Sequence, residues 1–302
     1  MVEQRSPKPC VACSSRVSPA NESEHLNWCS DFFFIIGKER HIAMKIGFLG
    51  AGNMAGAILR GIKNMDTGCY DINPAAVARA QEEMDALGFD SAEAMCVWAD
   101  MVVLAVKPQV MKAALQPLKA VLAGKAVASI AAGWTVEQLK EELPESRICR
   151  IMPNTPAMVG CGMTAIAKET TFTQEEFACI QTVFEAVGRV AVVEEHLMSA
   201  VISVSGSGPA YVYMVIEAMA DAGVREGLSR AAALELAAQT VLGSAKMVID
   251  TGMHPAVLRD MVCSPGGTTI EAVCVLEEKG LRPAIEAAVH ACAYKADRMA
   301  KR

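Results

Sequence analysis

Gly50, Gly52 and Ala55, in the stretch GFLGAGNMAGA (47–57), are the first residues whose types and spacing imply chemistry. They form a GxGxxA fingerprint between an apolar run and a helix-like segment, the setting in which such a fingerprint binds a dinucleotide. Gly50 permits a tight turn, Gly52 lets the backbone approach a pyrophosphate, and Ala55 keeps helix and strand close. The phosphates then meet unpaired amides at the helix N-terminus. A glycine turn that binds nothing is the competing interpretation, and the strand-to-helix setting disfavours it. Asp71 closes the next apolar run, roughly 20 residues beyond Gly52, where an acidic group accepts the adenosine ribose hydroxyls. A carboxylate there repels the extra phosphate of NADP, and Ile72 and Asn73 bring no cation beside it, so these residues alone lean to NAD. Asp71 also suits an Asx-type turn ahead of Asn73 and Pro74. Three further turns, AVKPQ (105–109), AAGWT (131–135) and MPNTP (152–156), each follow a strand-like run. Any one could be a connector; together they mark the edge at which open α/β sheets bind ligands, with Lys107 and Pro108 beside the nicotinamide ribose.

Positioning these groups requires alternating strands and helices. Strand patterns cover 44–50, 68–71, 101–106, 126–132, 148–152, 163–167 and 190–195, with helical patterns between several of them. The continuous apolar runs at 101–106 and 126–132 fit strands covered on both faces. The expectation is an α/β chain with a doubly wound parallel sheet of Rossmann type. After 195 only helices are expected, at 209–226, 230–249, 255–262, 269–278 and 282–299, so the boundary falls near His196. This divides the chain into a dinucleotide-binding domain (44–196) and a helical dimerisation and substrate domain (197–302). A length of 302 residues, 52% of them hydrophobic, suffices for two such cores. Residues 1–43 have no periodicity and are expected to be a disordered extension. Cys10, Cys13, His25 and Cys29 within it could ligate zinc, but the second pair lacks the spacing of known modules. A net charge of −6 without any Lys/Arg run argues against a nucleic-acid partner. FFFII (32–36) is too short to span a bilayer, and no later helix is expected to reach roughly 20 uninterrupted apolar residues. A soluble protein with no membrane partner is expected. Eleven cysteines without regular spacing suit reduced thiols in the cytoplasm.

GFLGAGNMAGAI, AVKPQ, AAG, RIMPNTP, SGSGPAYVY and DMVCSPGGTTIEAV stand in an order and spacing that resemble pyrroline-5-carboxylate reductase, from Met44 to about Met299. The first motif is widespread among dehydrogenases, whereas the last two together are specific. The resemblance implies an oxidoreductase of proline biosynthesis that reduces the cyclic imine of 1-pyrroline-5-carboxylate to L-proline with NADPH or NADH. It implies a Rossmann domain and a helical domain that interleaves with a partner's into a homodimer, often built up further into a decamer. Leu49, Gly50, Ala51, Gly52, Asn53 and Met54 then match the pyrophosphate loop, and Asn73 the neighbourhood of the adenosine ribose phosphate. Ala105, Val106, Lys107 and Pro108, with Ala131, Ala132, Gly133 and Asn154, match the nicotinamide half. Glu195 resembles an acidic residue near the substrate, and Thr268 and Thr269 match positions that hold it. The chain departs from the family in a shorter link before Asp71 and in lacking an Arg just after it, which leaves the choice between NADP(H) and NAD(H) open.

SPGGTTIEAV (264–273) can be examined against that chemistry. It looks like a phosphate loop without its Lys, but Thr268 and Glu271 have the spacing of a capping box with Thr268 as N-cap. Gly266 and Gly267 would leave the helix mouth bare, so that first-turn amides can bind a carboxylate. The Thr269 hydroxyl could meet the imine nitrogen. An iminium accepts hydride readily, so such a site needs orientation more than a strong acid. SGSGPAYVYMVIEAMADAG is expected to begin a helix at Pro209, capped by Ser207 or Gly208. That helix is apolar almost all round its single Glu217 and must be buried, either by a second subunit or as the centre of a monomeric bundle. His254 before Pro255 reads as a solvated or capping residue. Two other functions stay open: a β-hydroxyacid dehydrogenase, for which Lys246 would be the acid/base, and a regulator that senses the dinucleotide without turning it over.

Overall fold

A computed structural model describes residues 44–300; the 1–43 extension, with its candidate zinc residues and FFFII run, lies outside the described residues. Eight strands form one sheet: β1 (Ile46–Leu49), β2 (Thr67–Tyr70), β3 (Leu87–Gly88), β4 (Met101–Leu104), β5 (Ala126–Ser129), β6 (Arg147–Met152), β7 (Gly162–Ala167) and β8 (Gly188–Val193). Their order is β3-β2-β1-β4-β5-β6-β7-β8. The order reverses between β1 and β4, which creates the crevice in which doubly wound sheets take their ligands. The helices among them are α1 (Asn53–Gly61), α2 (Pro74–Met84), α3 (Ala92–Trp98), α4 (Met111–Leu115), α5 (Lys119–Leu122), α6 (Val136–Glu142) and α7 (Gln174–Glu185).

Period-two alternation explains why both faces need cover. Cys69, Phe48, Val103, Ala128 and Cys149 are in register across five strands and point to one face, where they pack with residues of α1, α2 and α7. Leu49 and Leu104 turn to the other face and pack with α3, α4, α5 and α6. Phe48, Ile46 and Leu104 are fully buried, and each such side chain stabilises the fold by about 1.5–3 kcal/mol.

The sheet corrects one expectation. β7 joins β6 antiparallel, with Ile151 opposite Ile166, although every other pair is parallel. The link 153–161 carries only a short 3-10 segment (Thr155–Val159), and a parallel connection needs a crossover of a dozen or more residues. Parallel and antiparallel strands share the same alternation, so the pattern could not separate them.

Beyond β8, a 3-10 turn (Glu195–Leu197) leads into α8 (Met198–Val201), a π-helical segment (Ile202–Gly206), α9 (Gly208–Arg225), α10 (Arg230–Thr251), α11 (Pro255–Met261), α12 (Thr268–Glu278) and α13 (Leu281–Ala300). SGSGP therefore does not open a fresh helix. Ser207 N donates to Ile202 O at 2.8 Å, the i→i+5 bond of a π turn, so the helix runs through the motif. No side chain caps α9 at Ser207. The continuous stretch Glu195–Arg225 and the helix Arg230–Thr251 are consequently long and apolar enough to cross a membrane by length and composition. The sequence expectation asked for uninterrupted apolar residues, a stricter requirement, and also broke the first stretch at the glycines. α9 and α10 pack through small residues, Ala220 against Ala233 and Ala237. Little else of α9 is covered within the chain: Tyr213 is 59% and Met214 69% exposed, so it is not the centre of a monomeric bundle.

Candidate active site

The glycine loop is shaped by one tight contact and one open space. Gly50 has φ +103°, and a Cβ there would lie 2.8 Å from Ala105 O, so no other residue fits between β1 and β4. At Gly52 a Cβ would meet nothing within 4 Å, which leaves the approach to the loop unobstructed. Gly52 is the N-cap of α1, no side chain caps that helix, and its first turn carries no acidic residue. The amides of Asn53 and Met54 are therefore available, and the helix dipole favours an anion in front of them. This geometry fits a dinucleotide pyrophosphate.

Asp71 makes the Asx turn foreseen for it, its Oδ1 accepting from Asn73 N at 2.8 Å. Its Oδ2 accepts from Ala51 N at 2.8 Å, tying the end of β2 to the middle of the glycine loop. Asn73 caps α2, its Oδ1 accepting from Ala75 N. A cation that the sequence did not single out stands alongside. Arg79 of α2 donates from Nη2 to Ala51 O at 3.1 Å, and its Nε is buried without a partner.

The strand ends converge as expected. Ala105, Val106, Lys107, Pro108, Ala131, Ala132 and Asn154 line one crevice of about 350 Å³ with Met54 from the glycine loop. Gly133 lines the adjoining depression with Pro108 and Ala132. Gly206, from the π segment, also reaches the crevice. Its position within SGSGP was visible in the sequence, but its proximity to the strand-end crevice was not. Asn154 explains how the helix is drawn there: its Nδ2 donates to Ser205 O at 3.2 Å, while its Oδ1 accepts from Met163 N at 2.8 Å. Asn154 is thus a brace between β6, β7 and the π segment as well as part of the crevice wall.

Glu195 joins the start of α6 to a buried cation. Its Oε1 accepts from Val136 N, the first amide of α6, at 2.7 Å and from Arg150 Nη1 at 3.1 Å. The Arg150 side chain is only 6% exposed, so Glu195 neutralises a buried cation that the sequence gave no reason to single out.

The turn at 264–269 forms no capping box. Gly267, extended at φ −82° and ψ 170°, is the N-cap of α12, and Thr268 is already helical. A Cβ at Gly267 would lie 2.4 Å from Ser264 Oγ and 3.1 Å from Ser264 O, so a larger residue there would have to displace the Ser264 hydroxyl. Gly266 has φ +66°, a conformation that favours glycine. With no side-chain cap, the first-turn amides of α12 are left to another acceptor. Thr268 is exposed and Thr269 half-buried. The crevice at the strand ends includes none of Gly266, Gly267, Thr268 and Thr269 in its lining. His254 is a helix cap, its Nδ1 accepting from Ala256 N. Lys246 is exposed and paired with Asp250 one turn on. Burial pushes the Cys69, Cys96 and Cys179 thiols up to about 11 and Cys149 to about 12, so none of these is a ready nucleophile.

Comparison with known proteins adds the following. Residues 195–299 match the family model described as pyrroline-5-carboxylate reductase dimerisation, and residues 45–133 that of NADP oxidoreductase, coenzyme F420-dependent. The pyrroline-5-carboxylate reductase of Escherichia coli is 45% identical over 267 residues, covering 85% of this chain and 98% of the relative. That of Arabidopsis thaliana is 42% identical over 262 residues, covering 84% and 94%. Among solved structures, the Plasmodium falciparum pyrroline carboxylate reductase with NADP bound superimposes with TM-score 0.77 at 31% identity, covering 85% of this chain and 98% of that one. A pyrroline-5-carboxylate reductase from Coxiella burnetii gives TM-score 0.80 at 33% identity, covering 86% and 100%.

Proposed function

The chain belongs to the pyrroline-5-carboxylate reductase family, and from that membership we propose the following division of labour. The protein reduces the C=N bond of 1-pyrroline-5-carboxylate to give L-proline, with NADP(H) as cofactor. The observation that carries this reading is the crevice at the reversal of strand order, where the uncapped start of α1 and the turns after β4, β5 and β6 meet. When bound, the dinucleotide supplies the hydride. Leu49, Gly50, Ala51, Gly52, Asn53 and Met54 hold its pyrophosphate, and Asp71 and Asn73 stand by the adenosine ribose. Ala105, Val106, Lys107, Pro108, Ala131, Ala132, Gly133 and Asn154 form the wall of the nicotinamide half.

The chain's own work is to orient and to exclude water. Gly266, Gly267 and the free amides at Thr268 and Thr269 hold the substrate carboxylate, and backbone amides lose no side-chain entropy in doing so. The Thr269 hydroxyl hydrogen-bonds the ring nitrogen, keeping the imine carbon aligned for transfer. Glu195 acts on the substrate side through Arg150 and the start of α6, as a positioning residue. Residues 44–196 carry the dinucleotide, and 197–302 dimerise and supply the substrate turn. The exposed apolar surface of α9 and α10 supports a second copy of this chain, and not lipid, as its cover, because a dimerisation model matches these helices. The decamer is the further level of assembly. Eight free cysteines among the described residues support a reducing, cytoplasmic setting.

The test is cofactor oxidation with the purified chain. NADPH should be consumed on addition of 1-pyrroline-5-carboxylate and not of 3-oxo acids; turnover with a 3-oxo acid alone would replace this reading by the β-hydroxyacid dehydrogenase. The Lys246–Asp250 surface pair already speaks against that alternative.

A further inference from the structure

NADP(H) differs from NAD(H) only in a 2′-phosphate, and the residues directly after β2 offer no cation to receive it. Asp71 is negative, Ile72 is 90% exposed and apolar, and Asn73, whose Oδ1 caps α2, brings only a neutral amide donor. The structure supplies a cation from a different place. We propose that Arg79, a turn and a half into α2, is the residue that receives the 2′-phosphate and so determines selectivity for NADP(H). The proposal rests on the NADP(H) reading of the crevice given above.

Location carries the first step. In doubly wound folds the adenosine ribose lies between the glycine loop and the carboxyl end of the second strand, and a nearby Arg accommodates a 2′-phosphate there. Arg79 is bonded to Ala51 O, and Asp71, at the end of that strand, to Ala51 N, so guanidinium and carboxylate meet on one residue of the loop. Unused hydrogen-bonding capacity carries the second step. The guanidinium has five N–H donors, and its one hydrogen bond goes to a neutral carbonyl, with Nε buried and unpartnered. No carboxylate pairs with it among the described residues, so its charge is not yet balanced by a direct partner. A phosphate is an acceptor that guanidinium geometry matches with two parallel hydrogen bonds. Asp71 holds the loop from the same side: each of its oxygens accepts one backbone N–H, from Ala51 and from Asn73, and keeps a further lone pair.

Calorimetric titration of the full chain with NADP⁺ and NAD⁺ tests this without relying on turnover. Arg79→Met should weaken NADP⁺ binding about tenfold or more beyond any loss of NAD⁺ binding, because both share the bond to Ala51 O but only NADP⁺ loses the charge-assisted contact. Arg79→Lys should recover part of the loss. Equal weakening of both dinucleotides, or no change in NADP⁺ binding, would overturn the proposal, the former by making Arg79 a brace of the loop. The unsubstituted chain offers a parallel measurement should the Met variant not fold: 2′,5′-ADP should displace NADP⁺ at lower concentration than 5′-AMP, and equal potency would overturn the assignment. A chain that binds neither dinucleotide would instead remove the NADP(H) reading itself.

Discussion

A single hydroxyl and a single carboxylate have opposite expected signatures. Thr269→Val removes the donor assigned to the ring nitrogen and leaves the α12 amides in place. It should lower kcat/KM roughly ten- to hundredfold, the worth of one hydrogen bond to a charged group, with cofactor affinity unchanged in the same preparation. Full activity would take the hydroxyl out of the mechanism. Glu195→Ala instead strips a buried guanidinium of its partner and α6 of its first acceptor. Breaking such a pair typically costs about 3–5 kcal/mol, so urea unfolding should report it as lost stability. A group that touched substrate would raise KM with the unfolding midpoint unmoved. Arg150 and Arg79 illustrate what a sequence withholds at this scale. Each lies far along the chain from the group it serves, Arg150 from Glu195 and Arg79 from Ala51, and nothing in a local motif links them.

At the scale of elements, the junction of β6 and α7 should be the acid-sensitive one. Arg147 pairs with Glu176 through both carboxylate oxygens, and Glu176 also closes a capping box with Thr173. Burial by itself would raise the Glu176 pKa, but Arg147 and the Thr173 amide outweigh it and hold the carboxyl below its ordinary value of 4.5. A depressed carboxylate contributes stability that is complete above the unfolded value and is lost as pH falls through the folded one. Glu176→Gln should therefore be less stable than the parent at pH 7, and the difference should shrink below about pH 4.5, as urea midpoints measured across that range would record. The fingerprint, the strand-end turns and the helix order after 195 were legible because each rests on local chemistry: a glycine spacing, an apolar run, a proline. The direction of β7 was not, since alternation is blind to it. The capping box at Thr268 failed for a related reason: its spacing is present, but Gly267 takes the N-cap and moves the helix start by one residue.

At the scale of the whole molecule, the helices that end the chain leave much apolar surface uncovered within one copy. Met214, Tyr213, Leu236 and Ile249 are each more than half exposed within one chain, which amounts to a core lacking its second half. Light scattering should find at least a dimer, and Met214→Glu should weaken its self-association about tenfold or more, the scale of an interface hot spot. An unchanged mass at all concentrations would place the interface elsewhere. The change from strands to helices after 195 was readable because the hydrophobic period changes there, whereas the exposed side of each helix required coordinates. The π segment at 202–206 ties the two parts together in angular terms. A helix advances about 100° and 1.5 Å per residue, and a π turn inserts residues out of step with that rhythm. Gly206 meets the crevice two turns before Tyr213 and Met214 meet solvent, so this one segment sets the rotational phase between the strand-end crevice and the exposed apolar face of α9. Removing a single residue from it would swing every side chain of α9 by about a third of a turn relative to the strand ends. The crevice at the strand ends and the exposed face of α9 are thus indexed to one another by five residues of backbone.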